Sequence, residues 1–265
     1  MLLKDKIAVI YGGGGAIGGA TARTFAREGA EIFLAGRTLE RLERVAADIR
    51  AEGGRVTVDI LDAQDEAAVN DHADRVAARA GGIDIALNAV SVPHKQGRPL
   101  AEVSLGEFEH TIGANTRTNF LTARAVARHM RPRGGGVILT LTAPGSRVSR
   151  PGFLAHGIAC SAIETFSRLL AVELGQFGVR VICLKSDAIP DAVPLSYTRE
   201  LFDDMTRGFG TTTEAWLEVH AREDTQLGRL PRLDQIADYA AFVASDRAGA
   251  MTGALANLTC GSVLD

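Results

Sequence analysis

The chain has 265 residues, 46% of them apolar and 23% charged, with a formal net charge of −3. That composition excludes a disordered or collagen-like chain and is enough to bury a sizeable core without staples. The small negative charge gives no basic field for nucleic acid or an acidic membrane, and no stretch reaches the roughly 18 uninterrupted apolar residues of a membrane span.

The chain opens with "MLLKDKIAVIYGGGG", which runs straight into a strand and a glycine turn and carries no signal-peptide pattern. Its three cysteines, Cys160, Cys183 and Cys260, are too sparse for a disulfide framework and point to a reducing compartment. The cytoplasm is the expected location.

"KIAVIYG" reads as a buried strand, and "AIGGATARTFAREG" as a helix closed by Gly29. "AEIFLAGR" is a second strand. "TLERLERVAADIRAEGG" is a second helix, with Thr38 placed to cap it and Gly53 or Gly54 to end it. "RVTVDILD", "IDIALNAV", "GGVILTLTA", "VRVICLKS" and "GALANLTC" supply further strands. Helical patterns separate most of them, including a long one over residues 104–130 and another beginning near residue 152. Strand–helix alternation of this kind predicts an α/β Rossmann-type fold, a doubly wound parallel sheet of about seven strands with helices on both faces. No polar linker or internal repeat divides the chain, so 1–265 is read as one domain. The segment 187–228 is irregular, holds the only tryptophan (Trp216), and reads as a lid over a site or an ordinary surface excursion.

Chemistry first shows in "YGGGGAIGGA", where Gly13, Gly15 and Gly18 satisfy G-x-G-x-x-G between a strand and a helix. Backbone N–H groups and a helix N-terminus at such a turn face a pyrophosphate. At the end of the second strand stands Gly36-Arg37, where an acidic residue would hold the ribose hydroxyls of NAD. A guanidinium there suits a 2′-phosphate, so NADP(H) is the expected cofactor.

These features resemble the short-chain dehydrogenase/reductase family over nearly the whole chain. The family turn T-G-x-x-x-G-x-G corresponds to Tyr11-Gly12-Gly13-Gly14-Gly15-Ala16-Ile17-Gly18. Asp59 in "VDILD" resembles the family aspartate near the adenine, and Asn88-Ala89-Val90-Ser91 a worn form of N-N-A-G. Asn115 matches the asparagine of the catalytic tetrad, and "RLPRLDQIADYAAFVASDRAGAMTGALANLTCG" the family's C-terminal end. The resemblance implies cofactor contacts from Gly12, Gly14, Gly15, Ile17, Gly18, Asp59, Ile60, Asn88, Ala89 and Cys160. It also implies a homotetramer or homodimer.

The departures cluster at the chemistry. The resemblance places the catalytic serine at Ala143, the tyrosine at His156 and the lysine at Cys160. The P-G after the sixth strand has become Ser186-Asp187. "LTLTAPGSRVSRPGFLAHGIACSAIE" is also similar to enoyl-acyl-carrier-protein reductases, whose tyrosine would fall on Phe153 and whose lysine again falls on Cys160. Both registers lack the phenol and the ammonium.

Residues 156 and 160 lie four apart on one helix and share a face. His156 is the expected proton donor, with Thr142 or Ser91 supplying a hydroxyl to the oxyanion. The bland reading is that His156 only fills the tyrosine's space. Cys160 reads as a buried small residue, and no metal set is visible around it. His72 and His129 read as surface helix residues. His94 and His220 lie near site-facing loops with no assigned work. The chain is therefore expected to be an NADP(H)-dependent oxidoreductase acting on a small carbonyl or enoyl compound, such as an acyl thioester. The alternatives are an inactive nucleotide-binding subunit or sensor, and a redox-neutral lyase, isomerase or cyclase.

Overall fold

The computed structural model describes residues 1–264. Seven strands form one sheet: β1 (Ile7–Tyr11), β2 (Glu31–Gly36), β3 (Val56–Ile60), β4 (Ile85–Asn88), β5 (Gly136–Thr142), β6 (Val179–Ser186) and β7 (Ala254–Leu258). Their order is β3-β2-β1-β4-β5-β6-β7, with every neighbouring pair parallel. The order reverses between β1 and β4, and the crevice at such a switch point is where ligands bind in open α/β sheets.

Parallel strands need crossovers, and helices supply them. They are α1 (Ala16–Arg27), α2 (Leu39–Ala51), α3 (Glu66–Ala80), α4 (Leu105–Met130), α5 (Leu154–Gly175), α6 (Thr198–Gly208), α7 (Thr213–Asp224) and α8 (Leu233–Ala244). On one face of the sheet Phe25 of α1, Leu42 and Ile49 of α2 and Ala240 of α8 pack on Ile10, Ile32 and Leu34. On the other, Val69 and Val76 of α3, Val126 of α4 and Leu174 of α5 pack on Val9, Phe33 and Ile138. Each large side chain buried in these two layers contributes roughly 1.5–3 kcal/mol.

Local chemistry sets the helix ends. Ser104 caps α4 in a reciprocal capping box with Glu107, and Asp65 caps α3 by accepting from the Ala68 N–H. Gly29 and Gly53 follow α1 and α2 with positive φ, as expected of residues that end helices there. Thr38 occupies the N-cap position of α2, but its side chain makes no capping bond. It lines the cleft described below.

Between β6 and α8 lie a 3₁₀ segment (Pro190–Leu195), α6 and α7. Val193, Leu201, Phe202 and Met205 form a small core of their own, with Phe153, Tyr197 and Trp216 packed against it. Ala188, just after β6, packs against the same small core. Among the described residues no helix is long and apolar enough to cross a membrane.

His72 corrects the surface reading of its helix. It is fully buried. It shares a face of α3 with Val69, Ala73 and Val76, and its Nδ1 lies 3.4 Å from the Tyr11 hydroxyl. His129 is three-quarters buried and touches Asp74 at 2.7 Å.

Candidate active site

The glycine turn between β1 and α1 opens one half of a cleft. Gly12 and Gly13 donate to the Ala35 carbonyl, which ties the turn to β2. Gly12 has φ +77°, and a Cβ there would fall 2.4 Å from the Ala89 oxygen. A Cβ on Gly18 would fall 2.4 Å from the Gly12 oxygen. The turn therefore needs bare backbone at both positions. Gly12, Gly14 and Gly15 line this half, with Arg37, Thr38, Arg41, Asp62, Gln64 and the Ala89–Ser91 stretch. Gly18 packs under the turn. The end of β2 and the first turn of α2 bring two guanidiniums, of Arg37 and Arg41, to the cleft and no carboxylate.

Two expected contacts are corrected. Neither Asp59 nor Ile60 lines the cleft. Asp59 turns toward α3, with its carboxylate 3.2 Å from Arg75 and 3.6 Å from His72 Nε2. His72 first, then Arg75, hold this carboxyl below its ordinary range against the opposing effect of burial. Ile60 is 61% exposed. The physical reason is where β3 ends: the chain turns across the sheet edge only after Ile60, so Leu61, Asp62, Ala63 and Gln64 pass along the cleft.

The other half is a cavity of about 520 Å³ under the 187–228 region. Ser91 lines both halves and joins them. Ile17, His94, Ala143, His156, Asp187, Tyr197, Trp216 and His220 face the cavity together with Phe153, Leu201, Phe202 and Met205. It is an apolar chamber with a few converging polar groups, the usual composition of a small-molecule site.

Of His156, Asn115 and Thr142, the residues expected to be catalytic, His156 is the one that lines this chamber. Its ring stacks on His94, with centroids 4.9 Å apart and planes within 4°. Burial, aided by His94, lowers its pKa to about 3. With that pKa the ring is a neutral imidazole at physiological pH. His94 is also held below its usual pKa, chiefly by burial. The Gln96 amide meets His94 Nε2 at 2.9 Å, and His94 Nδ1 bonds the Val92 carbonyl at 2.9 Å. Tyr197 fixes the same loop: its hydroxyl accepts from the His94 N–H and donates to the His94 carbonyl, both at 2.7 Å.

Asn88, Asn115, Thr142 and Cys160 do not line the cleft. Asn88 braces the turn behind it, donating to Thr122 Oγ1 and accepting from the Val90 N–H. Asn115 donates to the Thr111 carbonyl within α4. The Thr142 hydroxyl points at the Cys160 carbonyl, 3.4 Å away. Cys160 is only 4% exposed, and burial raises its thiol pKa. Of the two candidate hydroxyls, Ser91 is the one presented to the cleft.

Sequence reasoning left His220 and Asp187 without work, yet they form the strongest polar constellation in the chamber. His220 Nε2 lies 3.1 Å from both Asp187 oxygens, and Nδ1 lies 2.8 Å from Asp224 Oδ2. Arg150 bonds the other Asp224 oxygen at 2.7 Å. Trp216 stacks on the His220 ring at 5.0 Å. Burial alone would lower the His220 pKa, but Asp187 and Asp224 outweigh it and raise it. Two signals were legible: the i, i+4 spacing of His220 and Asp224, and the loss of P-G at Ser186-Asp187. A second buried charge pair lies behind the chamber. Lys185, with no exposed surface, sits 3.6 Å from Glu164, which also accepts from the Ser146 hydroxyl. Among the described residues, no group of three or more His, Cys, Asp or Glu is placed to hold a metal ion.

Comparison with known proteins agrees with this architecture. Residues 14–262 match a family model described as enoyl-(acyl carrier protein) reductase. The chain is 31% identical over 252 residues to D-threitol dehydrogenase of Mycolicibacterium smegmatis, covering 95% of this chain and 90% of that one. It is 27% identical to 7alpha-hydroxysteroid dehydrogenase of Clostridium sardiniense over 268 residues, covering 99% and 95%. The fold of NAD+-bound xylitol dehydrogenase superposes with a TM-score of 0.88 at 22% identity, over 98% of this chain and 100% of that one. With the glycine turn, the parallel sheet and the joined cleft, these matches establish that the chain belongs to the short-chain dehydrogenase/reductase family.

Proposed function

We propose that this protein is an NADP(H)-dependent oxidoreductase that reduces a small carbonyl or enoyl compound, an acyl thioester among them, in the chamber beside its glycine turn. The observation that carries the reading is the continuity at Ser91 between the glycine-turn cleft and the apolar chamber containing His156. The bare-backbone turn and the α1 N-terminus fit a pyrophosphate, Arg37 with Thr38 and Arg41 fits a 2′-phosphate, and Asp62 with Ala63 borders the adenine end. The half that would hold the nicotinamide ribose is less complete, because Cys160 replaces an ammonium and is shielded from the cleft.

Bound NADPH supplies the hydride. This chain's own contribution is orientation and polarisation. A neutral imidazole can donate a hydrogen bond to a carbonyl oxygen without being an acid of ordinary strength, the way a neutral histidine polarises the substrate in triosephosphate isomerase. His156 takes that role, Ser91 adds a hydroxyl, and Phe153, Phe202 and Trp216 exclude water. The exposed Phe120 of α4 and Leu169 and Val172 of α5 offer an apolar face on which the chain assembles as a homodimer or homotetramer.

Titration with NADPH, and with NADH in parallel, followed by nicotinamide fluorescence, tests the cofactor reading. Micromolar NADPH binding with a preference over NADH, then turnover in a screen of carbonyl and enoyl compounds, is the expected result. Absence of binding to either nucleotide overturns it. The shielding of Cys160 favours a second reading, a nucleotide-binding subunit without turnover, for which the same titration would show binding and the screen none.

A further inference from the structure

The thiol of Cys160 and the imidazole of His156 meet on the inner side of the chamber, Sγ to Nε2 at 3.6 Å, within reach of a sulfur hydrogen bond. They meet because Gly145 has no side chain: a Cβ there would fall 2.6 Å from His156 Cδ2 and 3.1 Å from Cys160 Sγ. The Nε2–Cδ2 edge of the ring is thus packed against Gly145 and the sulfur. Nδ1 lies on the opposite side of the ring and has no hydrogen-bond partner among the described residues, while His156 lines the chamber.

The direction of the bond follows from what surrounds the sulfur. Among the described residues His156 Nε2 is the one hydrogen-bond partner within reach of Cys160 Sγ, and the Thr142 hydroxyl points at the Cys160 carbonyl instead. Burial keeps the group a thiol, so its one proton is left for the ring nitrogen. Nε2 must then be the accepting nitrogen of a neutral ring, and the ring proton sits on Nδ1.

We propose that Cys160 is a positioning residue: its thiol donates to Nε2, locks His156 in the Nδ1–H tautomer and so presents an N–H donor to the substrate chamber. In this way the side chain at the family's lysine position serves the histidine at the tyrosine position rather than a ribose. The inference deepens the reading of His156 given above, since it names which atom of that ring faces the substrate. Its tautomer claim can be tested without a substrate.

The test is a long-range proton–nitrogen correlation spectrum of protein labelled with ¹⁵N-histidine, at neutral pH. His156→Gln identifies the His156 signals among the six histidines. The wild type should show His156 with a protonated Nδ1 and an accepting Nε2. Cys160→Ser, which keeps a donor, should retain that pattern. Cys160→Ala should lose it, with the Nδ1–H form falling from the major to the minor species while the other histidine signals stay in place. A wild type with protonated Nε2, or a folded Cys160→Ala with an unchanged spectrum, would overturn the proposal. Turnover of His156→Ala separates this outcome from failure of the functional reading. Unimpaired turnover with the expected tautomers sinks the catalytic reading alone; abolished turnover with tautomers indifferent to Cys160 sinks the positioning role alone.

Discussion

His220→Ala is the most informative single perturbation of the chamber. The His220 ring bridges Asp187, whose side chain is 10% exposed, and Asp224, which is 29% exposed and already bonded to Arg150. Removing the ring leaves Asp187 as a nearly buried carboxylate with only the Ala188 N–H beside it. Charge-assisted hydrogen bonds are worth about 1.5–3 kcal/mol each, and stranding a buried acceptor incurs a penalty of similar size. Asp224 keeps Arg150 and water, so Asp187 dominates the loss. Adding the Trp216 stack gives an expected destabilisation of about 3 kcal/mol. For a chain of this length each kcal/mol shifts Tm by roughly 2–4 °C. The expected fall is therefore about 6–12 °C by calorimetry, or less if α7 opens before the sheet unfolds.

The pH dependence follows from the same contacts. The folded-state pKa of His220 is raised above its unfolded value, so its contribution is complete below the unfolded value near ~6.5. It is lost as pH rises through the folded pKa. Urea unfolding should show the wild type losing more stability than His220→Gln as pH is raised above the unfolded value near ~6.5. In the Asp187→Asn/His220→Ala cycle the two changes should be less harmful together than their sum, by about 1.5–3 kcal/mol. Additivity within about 0.5 kcal/mol, or identical pH profiles for wild type and variant, would refute the clamp.

Other outcomes test the rest of the site. Gly18→Ala should weaken NADPH binding at least ~10-fold and lower stability by about 1–3 kcal/mol, because its methyl group would strike the Gly12 carbonyl; fluorescence titration and urea unfolding measure both. Arg37→Asp should reduce NADPH affinity roughly 10- to 100-fold and leave NADH affinity equal or improved; an unchanged ratio would remove Arg37 from the 2′-phosphate site. His156 has a folded pKa of about 3, so its ring should contribute no ionisation to a pH–rate profile between about pH 5 and 8. Its effect on stability has the opposite sign to that of His220: stability is lost as pH falls below the unfolded value near ~6.5 toward the folded one. Lys185→Met should destabilise the fold by about 3 kcal/mol in urea, since it strips a cation from Glu164, which is only 16% exposed.

Much of this was written in local chemistry. The strands are short apolar runs and the crossovers have helical period, so the doubly wound sheet followed from the sequence alone. The glycine turn was legible because only glycine tolerates a positive φ at Gly12 and the backbone approach at Gly18. His72 was legible too, since residues 69, 72, 73 and 76 share one helical face, but its polarity masked the periodicity.

What the sequence determined by itself was the architecture, the family and the erosion of the Ser-Tyr-Lys set, because these rest on near-neighbour spacing. Tertiary structure alone decided where β3 releases the chain, and hence that Asp62 rather than Asp59 borders the cleft. It alone brought His94 onto His156 across 62 residues and His220 onto Asp187 across 33. It also moved their pKa values in opposite directions: burial against another imidazole lowers one, while two carboxylates raise the other. No spacing along a chain encodes the water excluded from a side chain, and it is that exclusion, with the partners left inside it, that fixes a group's protonation.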